Sequence, residues 1–312
     1  MTAVMVATNG GHLAQLVELS GRMDGLDGER HWVTFDSPQS RSLLAGRNTT
    51  FIRPIEERDV AGVLRGVADA WSILREVRAK AVVSTGSAIA LSFLPLAAAR
   101  GIPAHYVESS ARVQEPSLTG RTLAKVPGVK LYRQYPHAAT GRWRYAGSVF
   151  EGYEQRDGRP TPIRRAVVTF GSGTHGFRRL LERLVTILPR DIEVLWQTGS
   201  TDVTGFDITA RDLVPAAELE QAIRAADVVI AHAGCGSALA ALNAGKLPVL
   251  VPREPQHREL VDNHQVELAG WLASCGLALR RSPEELTFDD LLAAASGRIG
   301  RRANPPPLRL AA

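Results

Sequence analysis

The 312-residue sequence predicts an α/β protein made of two linked domains, each built on a parallel sheet. Three observations carry that reading. Short β-rich runs alternate with helix-period segments through both halves of the chain, the pattern of strand–helix–strand layers. Between the halves, "GSVFEGYEQRDGRPTPIRR" (147–165) mixes Gly, Pro and charge with no apolar period, as a linker does. Three small-residue turns stand where a β-run gives way to a helix: Asn9-Gly10-Gly11-His12, Gly171-Ser172-Gly173-Thr174 and Gly234-Cys235-Gly236-Ser237. The expected domains are 1–155 and 164–300, with 301–312 as a flexible tail.

Taken in order, "AVMVAT" precedes a helix from about residue 13, followed by "HWVTF", a long helix over 60–79, "AVVST", a helix over 88–99 and "AHYVE". In the second half "AVVTFGS" leads to a helix over 177–188 and "EVLWQTG" to one over 216–225. "DVVIAHAG" then leads to a helix over 237–244, and "PVLVP" to a helix from about 259. The 19 uncharged residues 81–99 approach the length that spans a bilayer. Ser84-Thr85-Gly86-Ser87 divides them, so a buried strand followed by a buried helix is the better reading.

Two cysteines, Cys235 and Cys275, are too few for a disulfide framework or a cysteine-built metal site, which points to a reducing cytoplasm. The N-terminus lacks the basic, then apolar, pattern of a signal peptide. The net charge of +5 sits in residues 1–160, which hold 20 Lys and Arg against 15 Asp and Glu, whereas 161–312 hold 17 of each. Segment 112–144 has seven basic residues against Glu115 alone, a net of +6. Either a solvated face or a surface for anions, a membrane or a phosphate-bearing substrate, accounts for this. Nucleic acid fits less well, because no nucleic-acid motif accompanies the charge.

Each glycine-rich turn would present backbone N–H groups and a positive helix end at the carboxyl edge of a parallel sheet, where such folds bind phosphates. A tight turn also needs glycine for purely steric reasons, so one turn alone says little; three are harder to dismiss. A dinucleotide-binding reading would use Asp36, 25 positions after Gly11, but G-G-H is not G-x-G-x-x-G. No phosphate-binding G-x-x-x-x-G-K-[ST] loop occurs. Metal is poorly supported, with no Asp-x-Asp and eight scattered histidines. An enzyme handling a diphosphate without metal would rely on helix ends, Arg and Lys. His12 can act as general base, its unperturbed pKa lying near 6.5, or can simply cap a helix. Cys235 reads as small-residue packing, and Trp196, Tyr106 and Tyr145 as core or interface residues.

"IAHAGCGSALAALNAGKLPVLVPREPQHRELVDNHQVELA" (230–269) resembles the donor-binding domain of glycosyltransferase family 28 enzymes of the GT-B fold. "VVTFGSGTHGFRRLLERL" and "VLWQTGSTD" resemble the start of that domain. "TNGGHLAQLVEL" and "HYVESSARVQEPSLTGRTLAK" resemble the acceptor-side subunit of two-subunit relatives, the bacterial exopolysaccharide glycosyltransferases and the eukaryotic dolichol-diphosphate N-acetylglucosaminyltransferase. The chain reads as both subunits fused, acceptor half first.

The resemblance implies two Rossmann-like domains facing a central cleft. It implies an inverting, metal-independent transfer from a UDP-sugar to a lipid-diphosphate-linked sugar at the cytoplasmic membrane face, with no cofactor and no obligate second subunit. His12 would be the base, and Gly10 and Gly11 would face phosphates. Glu108 and Arg112 would orient the acceptor. Gly171, Ser172 and Thr174 would lie near the donor diphosphate. His232, Gly234, Cys235, Gly236 and Ser237 would cradle phosphates or sugar, and Arg253, His257, Asn263, His264 and Gln265 would contact the donor; Gln197, at the carboxyl end of its strand, is a further candidate donor contact.

Two departures stand out. Many relatives carry a ribose-binding Glu where this chain has Ala240. The membrane helix of the eukaryotic acceptor subunit is also lacking, so membrane contact would fall to 81–99 and 112–144. A nucleotide-sugar epimerase of the same fold, a transferase with a soluble acceptor and a non-catalytic nucleotide-sugar-binding partner remain open alternatives.

Overall fold

The computed structural model describes residues 2–310; Met1, Asp27, Glu57, Ser172, Ala311 and Ala312 lie outside the described residues. The chain divides into two compact units, Met1–Glu151 with Asn304–Ala312, and Gly152–Ala303.

The first unit contains β1 (Thr2–Ala7), α1 (Gly11–Ser20), β2 (Met23–Asp24), β3 (Glu29–Phe35), α2 (Pro38–Leu43), β4 (Thr49–Ile52) and α3 (Val60–Glu76). It continues with β5 (Ala81–Gly86), α4 (Ile89–Ala99), β6 (Ala104–Val107), α5 (Leu118–Leu123), β7 (Val129–Arg133) and β8 (Trp143–Tyr145). Its sheet is ordered β4-β3-β1-β5-β6-β7-β8, with every pair parallel. Strands covered on both faces must be apolar throughout, and β5 is buried at every position. The uncharged run 81–99 therefore splits into β5 and α4, as the sequence indicates. Val4, Val6, Val82, Phe93, Leu94 and Tyr106 lie at the heart of this core. Helix α3 begins where the Asp59 carboxylate accepts from the Gly62 amide at 2.7 Å, satisfying a first-turn donor.

The second unit contains β9 (Tyr153–Arg156), β10 (Arg165–Thr169), α6 (Arg178–Ile187), β11 (Glu193–Gln197), β12 (Ala210–Arg211), α7 (Ala216–Ala225), β13 (Val228–His232) and α8 (Cys235–Asn243). After these come β14 (Val249–Val251), α9 (His264–Ser274), β15 (Leu279–Arg280), α10 (Phe288–Ser296) and β16 (Arg298–Arg301). Its sheet, β12-β11-β10-β13-β14-β15, is also parallel throughout. In each sheet the first long strand, β1 or β10, lies between neighbours from which the chain winds outward in opposite directions. Such a switch point opens a crevice at the strand carboxyl ends.

Three expectations give way. The stretch 147–165 is not a free linker, because Phe150 is buried in the first unit and β9 pairs antiparallel with β16. Residues after 301 do not trail as a tail: β17 (Leu308–Arg309) pairs with β2, and Leu308 is fully buried. Arg22 secures this return, donating from Nε to the Pro306 carbonyl at 2.9 Å and from Nη1 to Ser148 at 2.7 Å. The helix expected from 259 begins at His264, since Pro255–His257 form a 3₁₀ turn and Arg258 is left-handed at φ 58°.

Leu308→Ala should therefore lower stability by about 2–5 kcal/mol, the usual cost of emptying a buried leucine site. Urea unfolding checks this as a fall in midpoint at unchanged slope; an unmoved midpoint would mean the return strand is not seated.

Candidate functional site

In the first unit the switch point joins the ends of β1 and β5, and α1 starts there. Gly10 adopts φ 78°, a left-handed backbone that glycine tolerates. Its amide donates to the Gln39 Oε1 at 2.9 Å, so it is taken by α2 rather than offered to a phosphate as the turn pattern suggests. Gly11 begins α1, and His12 follows in its first turn. The His12 Nδ1 lies 2.6 Å from the Thr85 carbonyl, and the Thr85 hydroxyl donates back to the His12 carbonyl at 2.8 Å. A carbonyl only accepts, so Nδ1 carries the proton and the lone pair of the neutral ring sits on Nε2. A Cβ at Gly86, whose φ is +103°, would come within 3.1 Å of the His12 Cε1. Thr85 and Gly86 thus fix the ring, a pairing across 73 positions that no local motif announces. Asp36, the acid of the dinucleotide reading, is forked to Arg41 at 2.6 and 2.7 Å.

Glu108 is fully buried, and its carboxylate accepts from the Tyr106 hydroxyl, the Ser109 and Ser117 amides and the Ser117 hydroxyl. A buried charge needs such partners, and they occupy both oxygens. Glu108 therefore shapes the 109–117 loop instead of orienting an acceptor directly. Arg112 lies half-buried on that loop. Beneath it is a buried pair that motif reading misses. Gln15 receives the Ser110 amide at 2.7 Å and Gln134 Nε2 at 3.1 Å, and donates to Ser109 Oγ at 3.1 Å.

In the second unit two of the expected turns converge on one ring. A Cβ at Gly171 would fall 2.4 Å from the His232 Cε1, and a Cβ at Gly234 would fall 2.2 Å from its Nε2. The ring is clasped by two backbones that only glycine permits. Burial, then the nearby Arg253 charge, push the His232 pKa down to about 3, so this ring is neutral and suits packing rather than phosphate pairing. Gly234 is the N-cap of α8 and supplies no side-chain cap, while Cys235, Gly236 and Ser237 form the first turn. First-turn amides lack intrahelical acceptors and attract anions. The Gly171 turn differs from expectation: α6 starts only at Arg178, and the Phe177 amide is already bonded to Thr201 Oγ1 at 3.0 Å. Thr174 is exposed on this loop, and Ser172 lies outside the described residues.

Three expected donor contacts are engaged in holding the fold. Gln197 is buried, donating to Thr169 Oγ1 at 2.8 Å and accepting from the Val214 amide at 3.0 Å. Gln265 is buried and accepts from the Arg253 amide at 3.0 Å. Arg253 donates to the carbonyls of Phe170 at 3.0 Å and Gly176 at 3.4 Å, bracing both ends of the Gly171 loop. Burial lowers its pKa to about 10. His264 bonds Asp262, His257 lies 3.8 Å from Glu254, and Asn263 is the N-cap of α9. Arg179, which the sequence reading did not single out, forks onto Glu259 at 3.1 and 3.0 Å and reaches Glu254 at 3.3 Å. That grip holds 254–259 as a loop and delays α9. Ala240 packs beside Ile223 and Val229 and offers no polar group. Among the described residues no group of three or more His, Cys, Asp or Glu is placed to hold a metal ion.

Residues 167–294 match the glycosyltransferase family 28 C-terminal domain. Over 264 residues the chain is 30% identical to the UDP-N-acetylglucosamine–N-acetylmuramyl-(pentapeptide) pyrophosphoryl-undecaprenol N-acetylglucosamine transferase of Nitratidesulfovibrio vulgaris, covering 78% of this chain and 70% of the relative. It is 41% identical over 71 residues to UDP-N-acetylglucosamine transferase subunit ALG13 of Yarrowia lipolytica, covering 23% of this chain and 31% of that one. The crystal structure of Acinetobacter baumannii MurG superposes with a TM-score of 0.57 at 20% identity, over 94% of this chain and 89% of that one. The fold is GT-B.

Because His232 binds its proton only near pH 3 when folded and near 6.5 when unfolded, the sign of its pH effect is fixed. Above about 6.5 it contributes nothing. As pH falls toward 3 the unfolded state gains a proton that the fold refuses, and stability declines by at most about 1.4 kcal/mol per pH unit. His232→Asn should flatten denaturation profiles across that window, and an unchanged slope would count against a neutral, clasped ring.

Proposed function

Since the chain belongs to glycosyltransferase family 28, we propose that it moves a sugar from a UDP-sugar to the hydroxyl of an acceptor, a lipid-diphosphate-linked sugar being the acceptor chemistry its relatives' names favour. The observation that carries the donor half is the convergence of Gly171 and Gly234 on His232 beside the N-terminus of α8. Both glycines keep the backbone bare where two strands of the switch point end. In the proposal, the α8 amides and the Gly171 loop take the diphosphate. Arg253, Gln197 and Arg179 act as positioning residues that hold those loops. With Ala240 in place of a ribose-binding acid, the ribose is recognised through other groups.

His12 serves as the base. Its Nε2 takes the acceptor hydroxyl proton as the oxygen bonds to the anomeric carbon. The bond from that carbon to the phosphate breaks, and UDP leaves with the electron pair. One displacement inverts the anomeric centre. The leaving charge is met by oriented backbone dipoles, so no metal is required.

Turnover in His12→Ala should drop by about 10²–10⁴-fold, the range for a lost general base. UDP should still raise the melting temperature of this variant, with or without EDTA. Normal turnover would refute the base, and EDTA-sensitive transfer would refute metal independence.

We also place the enzyme on the cytoplasmic side as a peripheral membrane protein. Among the described residues no helix is long and apolar enough to cross a membrane. Of the seven basic side chains in 112–144, Arg133 and Arg142 donate to backbone carbonyls. Arg121, Lys125 and Arg144 are exposed, and Leu118, on α5 with Arg121, is 58% exposed. Flotation with anionic vesicles should occur at low salt, fade at high salt as the charges are screened, and weaken in Arg121→Glu/Lys125→Glu. Failure to float at low salt would remove this surface from consideration.

A further inference from the structure

Beside the acceptor-side loop, at the carboxyl ends of β7 and β6, lies a hollow of ≈ 320 Å³ lined by Gln114, Glu115, Arg133, His137, Thr140 and Trp143 among others. Arg133 ends β7 and is only 1% exposed. Its Nη2 donates to the carbonyls of Arg112, Val113 and Gln114 at 3.0, 3.2 and 2.9 Å, yet its Nε is buried with no hydrogen-bond partner among the described residues. Bonds to carbonyls satisfy donors but pair the cation with no carboxylate. Glu108 and Glu115 favour the cation from a distance, but Glu108 has both oxygens engaged elsewhere and Glu115 is exposed at the rim. Burial accordingly pulls the Arg133 pKa below the usual guanidinium range. A buried cation with an orphaned donor is costly and calls for an explanation.

The Trp143 ring, held edge-on by Tyr106 at 6.2 Å between centroids, lies 5.6 Å from the Arg133 guanidinium carbon. An aromatic wall beside a few convergent polar groups is how pockets seat a pyranose ring, the apolar face of the sugar on the aromatic and its hydroxyls on the rim. We infer that this hollow is a saccharide subsite of the first unit, and that it takes a sugar bearing an anionic group, carboxylate or phosphate, whose charge pairs with Arg133. The inference rests on the acceptor reading only for which molecule delivers the sugar; the binding itself needs no donor and no turnover.

The test is titration of the full chain by saturation-transfer NMR with methyl β-glucuronoside, glucose 6-phosphate, methyl β-glucoside and inorganic phosphate. An anionic sugar should bind about tenfold or more tightly than methyl glucoside, as a charge-assisted hydrogen bond provides. The glucuronoside and the phosphosugar arms separate carboxylate from phosphate. Trp143→Ala should abolish the binding. Because that ring also packs on the core, Thr140→Trp, which fills the mouth from an exposed position, should abolish it too. Both variants should keep the UDP thermal shift. Equal binding of the neutral sugar, unaltered binding in Thr140→Trp, inorganic phosphate matching the phosphosugar, or no saccharide binding by protein that still binds UDP would each overturn the inference. Saccharide binding without a UDP shift would instead overturn the proposed donor and leave this subsite standing.

Discussion

A parallel sheet gathers the ends of its strands, and the first amides of the helices that follow, along one edge, and in both units of this protein the winding direction reverses there. Polar groups brought together at such an edge must find partners or remain costly. How each unit resolves that demand decides what its edge can do. In the first unit the groups are spent largely on one another: Gly10 on Gln39, Thr85 on His12, Gln15 on Ser110 and Gln134. The result is a rigid frame around one imidazole whose tautomer is set by a carbonyl. In the second unit the same edge is held from behind, by Arg253, Gln197 and Arg179, and α8 begins without a side-chain cap.

This contrast separates residues that can touch a ligand from those that hold others in place. Glu108, Gln197, Gln265 and Arg253 share a signature of burial with hydrogen bonds to neighbouring backbone. Removing any of them would disturb a loop before it disturbed chemistry. Gly171 and Gly234 act through what they lack, because a methyl at either would sit inside the His232 ring's contact distance. His232 in turn is a neutral spacer more than a ligand for phosphate. The edge of the second unit is thus shaped by bare backbone around a clasped, half-buried ring, which suits an anion that binds N–H groups.

The chain end shows the same economy at the level of the fold. Residues after Ala303 return to the first unit, where Arg22 ties Pro306 and Leu308 fills an apolar site. Nothing in "RRANPPPLRLAA" looks like a strand, since three prolines and three arginines obscure a two-residue pairing segment. The pairing exists because β2 offers an edge and Leu308 a side chain to bury.

By itself the sequence determined the layered α/β architecture, the strand–helix split of 81–99, the glycine turns at the strand ends and the family resemblance in both halves. Periodicity and glycine spacing are local properties, so they survive in one dimension. Tertiary structure alone decided which polar residues were already spoken for. Glu108, Gln197 and Arg253 read as ligand-facing because their types and strand-end positions suit that role, but their partners lie on other elements. The same holds for the late start of α9, set by Arg179 gripping Glu259 from 80 positions away, and for the clasp on His232. Burial and hydrogen-bond satisfaction depend on distance in space, and a linear chain does not carry that information until it folds.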